Sequence, residues 1–130
     1  MAPEILDHSI PPTCLEAHRR ADIYALALVL WELHRRVSPA REPRPPFYEL
    51  AASDPAEEDM RKIVCVDGYR PQIDEFTHPT MRGMASIMRE CWHQSPSVRL
   101  PALRIKKTLL KLAHNDPNIT LDEDSEEVSV

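Results

Sequence analysis

The 130 residues are 42% hydrophobic and 28% charged, with a net charge of −5, enough apolar material for one small domain with a moderate helical core. Residues 116–130 hold six of the 21 acidic side chains and no Lys or Arg, so the body is near neutral and offers no broad cationic surface for nucleic-acid phosphates. Two glycines, Gly68 and Gly83, cannot build a phosphate-cradling loop, and three dispersed cysteines, Cys14, Cys65 and Cys91, indicate neither a disulfide framework nor a zinc site.

Residues 3–20 alternate short helical signals with Pro11-Pro12, which predicts a loop carrying one short helix. Asp22 is a candidate N-cap for the next helix, and Ile23 to Trp31 is apolar nearly all round, the pattern of a helix buried on every side. That run is too short for a bilayer, which takes roughly 20 residues, and no leader peptide is evident, so no membrane contact is expected from this segment. VSPAREPRPPFY, from Val37 to Tyr48, carries four prolines and reads as an exposed, partly polyproline loop.

A second long helix is expected from Asp54, with Pro55 in the first turn, Glu57 completing a capping box, Met60, Ile63 and Val64 as its apolar stripe and Gly68 as its stop. Met81, Met84, Ala85, Met88, Cys91 and Trp92 fall on one helical face. The last helix spans about Pro101 to Ala113, turning Ala102, Ile105, Leu109 and Leu112 inward and Arg104, Lys106, Lys107 and Lys111 outward. The fold class is all-α, with four main helices and no strand. The domain ends at residue 115, and 116–130 is an acidic, disordered tail.

Chemistry is sparse in this pattern. The six histidines never reach H-x-x-x-H or H-E-x-x-H spacing, and no G-x-S-x-G elbow exposes a serine, so no metal ligand and no catalytic residue is assigned. Pro45-Pro46-Phe47-Tyr48 spells P-P-x-Y, which WW domains grip because a preformed proline helix loses little entropy on docking. A noncatalytic interaction module binding through Pro45, Pro46 and Tyr48 is therefore one reading of the chain.

The other comes from motif order. Ala2-Pro3-Glu4 precedes ADIYALALVLWEL, and Arg99 follows MRECW, an order that resembles the back half of a protein kinase. LEAHRRADIYALALVLWEL, RPPFYELAASDP, MRKIVCVDGYRP and MRECWHQSPSVRLPALRIKKTL narrow the resemblance, over Met1 to Leu112, to the type I receptors of the TGF-β/BMP/activin group, which are receptor serine/threonine kinases. The resemblance implies the C-terminal part of a kinase large lobe, an incomplete domain. It further implies a structural ion pair between Glu4 and Arg99, which the bare sequence offers only as two charges. Asp22 would anchor the catalytic loop's backbone from the central helix.

A parent of that kind would use ATP and magnesium to phosphorylate Smad proteins, would partner a type II receptor, and would place these residues in the cytoplasmic portion of a single-pass receptor. No cofactor is expected for this segment itself, because the glycine loop, the catalytic loop and the D-F-G triplet do not occur in it. Two departures stand out: Ala27 occupies a position that is Gly in relatives, and Pro101 replaces a capping Thr, so the last helix is expected to begin loosely.

Overall fold

The computed structural model describes residues 1–11, 13–37, 44–50, 55–74 and 78–120. Five α-helices occur among them, and no strand: α1 (Pro3–Leu6), α2 (Leu15–Arg36), α3 (Glu57–Arg61), α4 (Pro79–Cys91) and α5 (Ala102–His114). α3 continues directly into one π-helical turn, Lys62–Val66, and a 3-10 turn, Pro96–Val98, leads toward α5.

α2 begins seven residues before the expected Asp22. After Pro11, Cys14 is extended and its carbonyl accepts the His18 N–H at 3.2 Å, while Glu16 and Arg20, one turn apart, pair at 2.8 Å. Strong helix formers from Leu15 onward carry the helix, so Asp22 lies in its third turn, exposed, and caps nothing. Nor is α2 buried on every side. Tyr24, Ala27, Leu30, Trp31 and His34 are buried, but Leu26 is 37%, Val29 55% and Leu33 53% exposed.

Across α2 packs α4, through the face its spacing foretold: Met81, Ala85, Met88, Cys91 and Trp92 are buried and Met84 half-buried. Ile87, on the edge of that face, is buried as well. A side chain the size of Met88 or Ile87 removed from water contributes about 1.5–3 kcal/mol, and Ala85 less. Two polar ties hold α2 in place, the first to the segment before α4 and the second to α4 itself. The Trp31 indole N–H donates to the Gln72 carbonyl at 2.8 Å, and buried His34 meets the Met81 carbonyl through Nε2 at 3.1 Å.

The expected helix from Asp54 is shorter than its pattern. Asp54 lies outside the described residues, Ala56 holds the N-cap position without a side-chain bond, and Glu57 is the first helical residue rather than a capping-box partner. Glu57, Glu58 and Asp59 in the first turn instead favour the helix dipole. Ile63 and Val64 are buried as the stripe predicts. Gly68 does stop the element: its φ of +66° turns the chain so that the Tyr69 N–H reaches back to the Ile63 carbonyl at 2.9 Å.

α5 lies against α4 where Gly83 meets Leu112, a contact so close that a Cβ on Gly83 would fall 2.5 Å from Leu112 Cδ2. Pro101 stands at its N-cap with no side-chain bond, and Ile105 is its buried residue. Just past α5, Asp116 is buried, accepting a hydrogen bond from Thr80 Oγ1 at 2.7 Å and another from the Asn118 N–H at 2.9 Å. Residues 121–130 of the expected tail lie outside the described residues.

Candidate functional site

Glu4 sits in the first turn of α1, whose start Pro3 favours, and Arg99 follows the 3-10 turn in an extended conformation. The structure brings them together. Arg99 Nη1 donates to Glu4 Oε2 at 2.6 Å and Nη2 to Oε1 at 2.8 Å, the two parallel bonds of a guanidinium–carboxylate fork. The same guanidinium donates from Nε to the His93 carbonyl at 2.9 Å and from Nη1 to the Arg20 carbonyl at 2.9 Å. One buried cation therefore ties α1, the second turn of α2 and the segment after α4.

Tyr24 forms the floor of this clasp, with the Arg99 guanidinium 5.2 Å from its ring centroid and that of Arg70 5.0 Å away. Its hydroxyl is buried without a hydrogen-bond partner among the described residues, and burial pushes its pKa up to about 12. Asp22 stands outside, on the rim of a cleft shared with Arg19, Arg20, Ser97 and Pro101. Arg99 lines the same cleft, so Asp22 lies beside the clasp without being one of its bonded partners.

Arg70, which the sequence reading did not single out, forms a second hub. Its Nε donates to the Trp92 carbonyl at 2.7 Å, Nη1 to the Tyr69 and Val64 carbonyls at 2.8 and 3.3 Å, and Nη2 to the Gln94 side-chain oxygen. A cation thus faces the carbonyl-rich ends of both the π turn and α4, where helix dipoles are negative. Burial lowers its pKa from the ordinary guanidinium value. No spacing rule marks it, because all but one of its acceptors are backbone carbonyls, which every residue type supplies.

Tyr48 is engaged inside the molecule. Its hydroxyl accepts from Arg35 Nη2 at 3.3 Å, and the guanidinia of Arg35 and Arg44 lie 4.8 and 5.9 Å from its ring. Phe47 is buried with φ of +66°, which ends any polyproline helix one residue after Pro46. Tyr48 thus folds against α2 in a turn that its N–H closes on the Pro45 carbonyl at 3.3 Å, while Pro45 itself is exposed and Pro46 half-buried.

Among the described residues no three His, Cys, Asp or Glu side chains come together to hold a metal ion, and no helix is long and apolar enough to cross a membrane.

The helical order, the buried acid–guanidinium clasp and the central α2 define the class: this is the C-terminal part of a protein-kinase large lobe. No family model matches the chain. Over 127 residues, 94% of its length, it is 48% identical to activin receptor type-1 of Gallus gallus and 47% identical to that of Homo sapiens. Over 120 residues it is 50% identical to activin receptor type-1-like of Mus musculus. The chain spans about a quarter of the length of these relatives. Over that span the chain is similar to activin receptors type-1 and type-1-like, as a fragment of such a receptor would be.

Proposed function

We propose that this chain is the helical platform of a receptor serine/threonine kinase that uses ATP and magnesium to phosphorylate Smad proteins in company with a type II receptor. The segment lies on the cytoplasmic side of the receptor and braces the machinery without binding nucleotide itself. The observation that carries this reading is the Glu4–Arg99 fork, set between segments that are about half identical to activin receptors. Arg99 fixes the end of the segment that closes on substrate, and Asp22, exposed on α2, holds the catalytic-loop backbone.

The test uses a receptor that carries this stretch within its full length. Asp22→Asn is expected to lower Smad phosphorylation about tenfold or more, equivalent to ~1.4 kcal/mol of barrier, with little change in thermal stability because the side chain is exposed. Arg99→Ala is expected to lower both. Full activity in both variants would contradict the reading, as would nucleotide binding by the 130-residue chain alone.

A further inference from the structure

The contacts of Arg70 form a closed circuit that returns to the Glu4–Arg99 clasp. Its Nε donates to the Trp92 carbonyl at 2.7 Å, and Arg99 Nε takes the next carbonyl of the chain, that of His93, at 2.9 Å. In the other direction Arg70 Nη2 donates to the Gln94 side-chain oxygen, and the Gln94 amide donates onward to the Cys65 carbonyl at 3.3 Å. Cys65 Sγ then donates to the Pro3 carbonyl at 3.2 Å, one residue before Glu4. One route from Arg70 thus ends on the cation of the clasp, the other beside its carboxylate.

Tyr24 is a neighbour common to both cations, with the two guanidinia 5.0 and 5.2 Å from its ring centroid. The ring is fully buried and its hydroxyl has no hydrogen-bond partner among the described residues, so packing alone places it. A shift of one guanidinium therefore passes to the other through the ring as well as through the Trp92–His93 peptide. α1, four residues long, depends on what holds it: the segment after α4 does so through Arg99, and the π turn through Cys65. Arg70 joins those two holders, because its acceptors include Val64 in the π turn and Trp92 and Gln94 after α4.

We propose that Arg70 is a positioning residue for phosphorylation of the protein substrate. By fixing the π turn against the segment after α4, it sets where α1 holds Ala2-Pro3-Glu4, and it acts on use of the protein substrate rather than of nucleotide. The inference rests on the functional reading above, in which that triplet ends the segment that closes on substrate.

Steady-state kinetics test it in a receptor that carries this stretch within its full length, with a Smad protein and ATP varied in turn. Arg70→Met keeps the aliphatic stem and removes the bonds of the circuit. It is expected to raise KM for the Smad substrate about fivefold and to leave KM for ATP within about twofold of the parent, since only the substrate-facing segment is misplaced. A merely structural loss would shrink the active fraction, lowering kcat with both KM values unchanged. Cys65→Ala, which frees the Pro3 carbonyl and leaves Arg70 in place, is expected to raise the same KM about threefold, while Cys65→Ser, whose hydroxyl still donates, stays near the parent. A fall in kcat alone for Arg70→Met, equal rises in both KM values, or no difference between Cys65→Ala and Cys65→Ser would overturn the proposal. Were Arg70→Met not to accumulate, the Cys65 pair decides. Full activity of Asp22→Asn and Arg99→Ala in the same receptor would show instead that the functional reading fails, and the proposal would fall with it.

Discussion

Arg99 and Arg70 flank one aromatic ring and solve different problems. Arg99 is buried and its carboxylate partner partly so, and truncation leaves Glu4 uncompensated. Arg99→Ala is expected to cost ~3–5 kcal/mol in denaturant unfolding, and Arg99→Lys less, since an ammonium keeps the charge but loses the fork. Arg70 has only carbonyl and amide oxygens, so Arg70→Met should cost about 1–3 kcal/mol from acceptors left unpaired. Tyr24→Phe removes a buried hydroxyl without a described partner and should be neutral or stabilising by up to about 1 kcal/mol. A loss of several kcal/mol in that variant would mean the hydroxyl has a partner. The thiols should separate by environment: exposed Cys14 reacts with a disulfide reagent first, while Cys91, buried and pushed up to about 11, reacts only as the chain unfolds.

At the scale of elements, the α4–α5 contact sets helix propensity against packing. Gly83→Ala would gain ~1 kcal/mol of propensity but press its methyl on Leu112, an overpacking cost of similar size. The account expects near-neutral stability for the single variant and recovery of the propensity gain when Leu112→Ala is added, read by thermal unfolding. The Thr80–Asp116 bond joins the start of α4 to the end of α5. The Thr80 hydroxyl holds the Asp116 carboxyl below its usual value, with the Asn118 amide and His78 acting in the same direction. Because the folded value is depressed, this group stabilises the fold above the ordinary aspartate range and loses that contribution as pH falls through the folded value. Thr80→Val should therefore lower the unfolding midpoint at neutral pH, with the difference from the parent shrinking in acid.

The elements also show what the sequence could convey. The α4 face was legible because six apolar residues at helical spacing admit one packing direction, and the Gly68 stop because a left-handed turn needs that residue. The start of α2 was not. Asp22 is a good cap by composition, but seven helix-forming residues and a Glu16–Arg20 pair precede it, and extension added more than a cap at that position could. The exposure of Leu26, Val29 and Leu33 on α2 was hidden for a related reason: an apolar run reports how much surface wants cover, not whether cover is at hand. Asp116 was assigned to the tail by charge alone, which carries no information about Thr80, 36 residues earlier.

At the scale of the molecule, long-range polar ties hold the helices in register, among them Glu4–Arg99 across 95 residues, Cys65 to the Pro3 carbonyl across 62, and His34 to Met81 across 47. Only the first was available beforehand, through the resemblance to kinases, since no spacing or propensity relates residues so far apart. The second fastens α1 to the π turn from the opposite side, so α1, four residues long and unstable alone, is fixed at two points. Loss of the clasp should free α1 and the lead into α5 together. Amide exchange in Arg99→Ala is expected to rise in both segments while the α2–α4 core stays protected; exchange confined to one segment would show that the two are not coupled.

The central claim is that the carboxylate of Glu4 and the guanidinium of Arg99 act as one unit. A double-mutant cycle of Glu4→Gln and Arg99→Ala, read by denaturant unfolding, measures this directly. The account predicts a coupling of about 2 kcal/mol or more, with the double variant little worse than the costlier single. Additive effects, with each single change costing under about 0.5 kcal/mol as surface charges do, would contradict it.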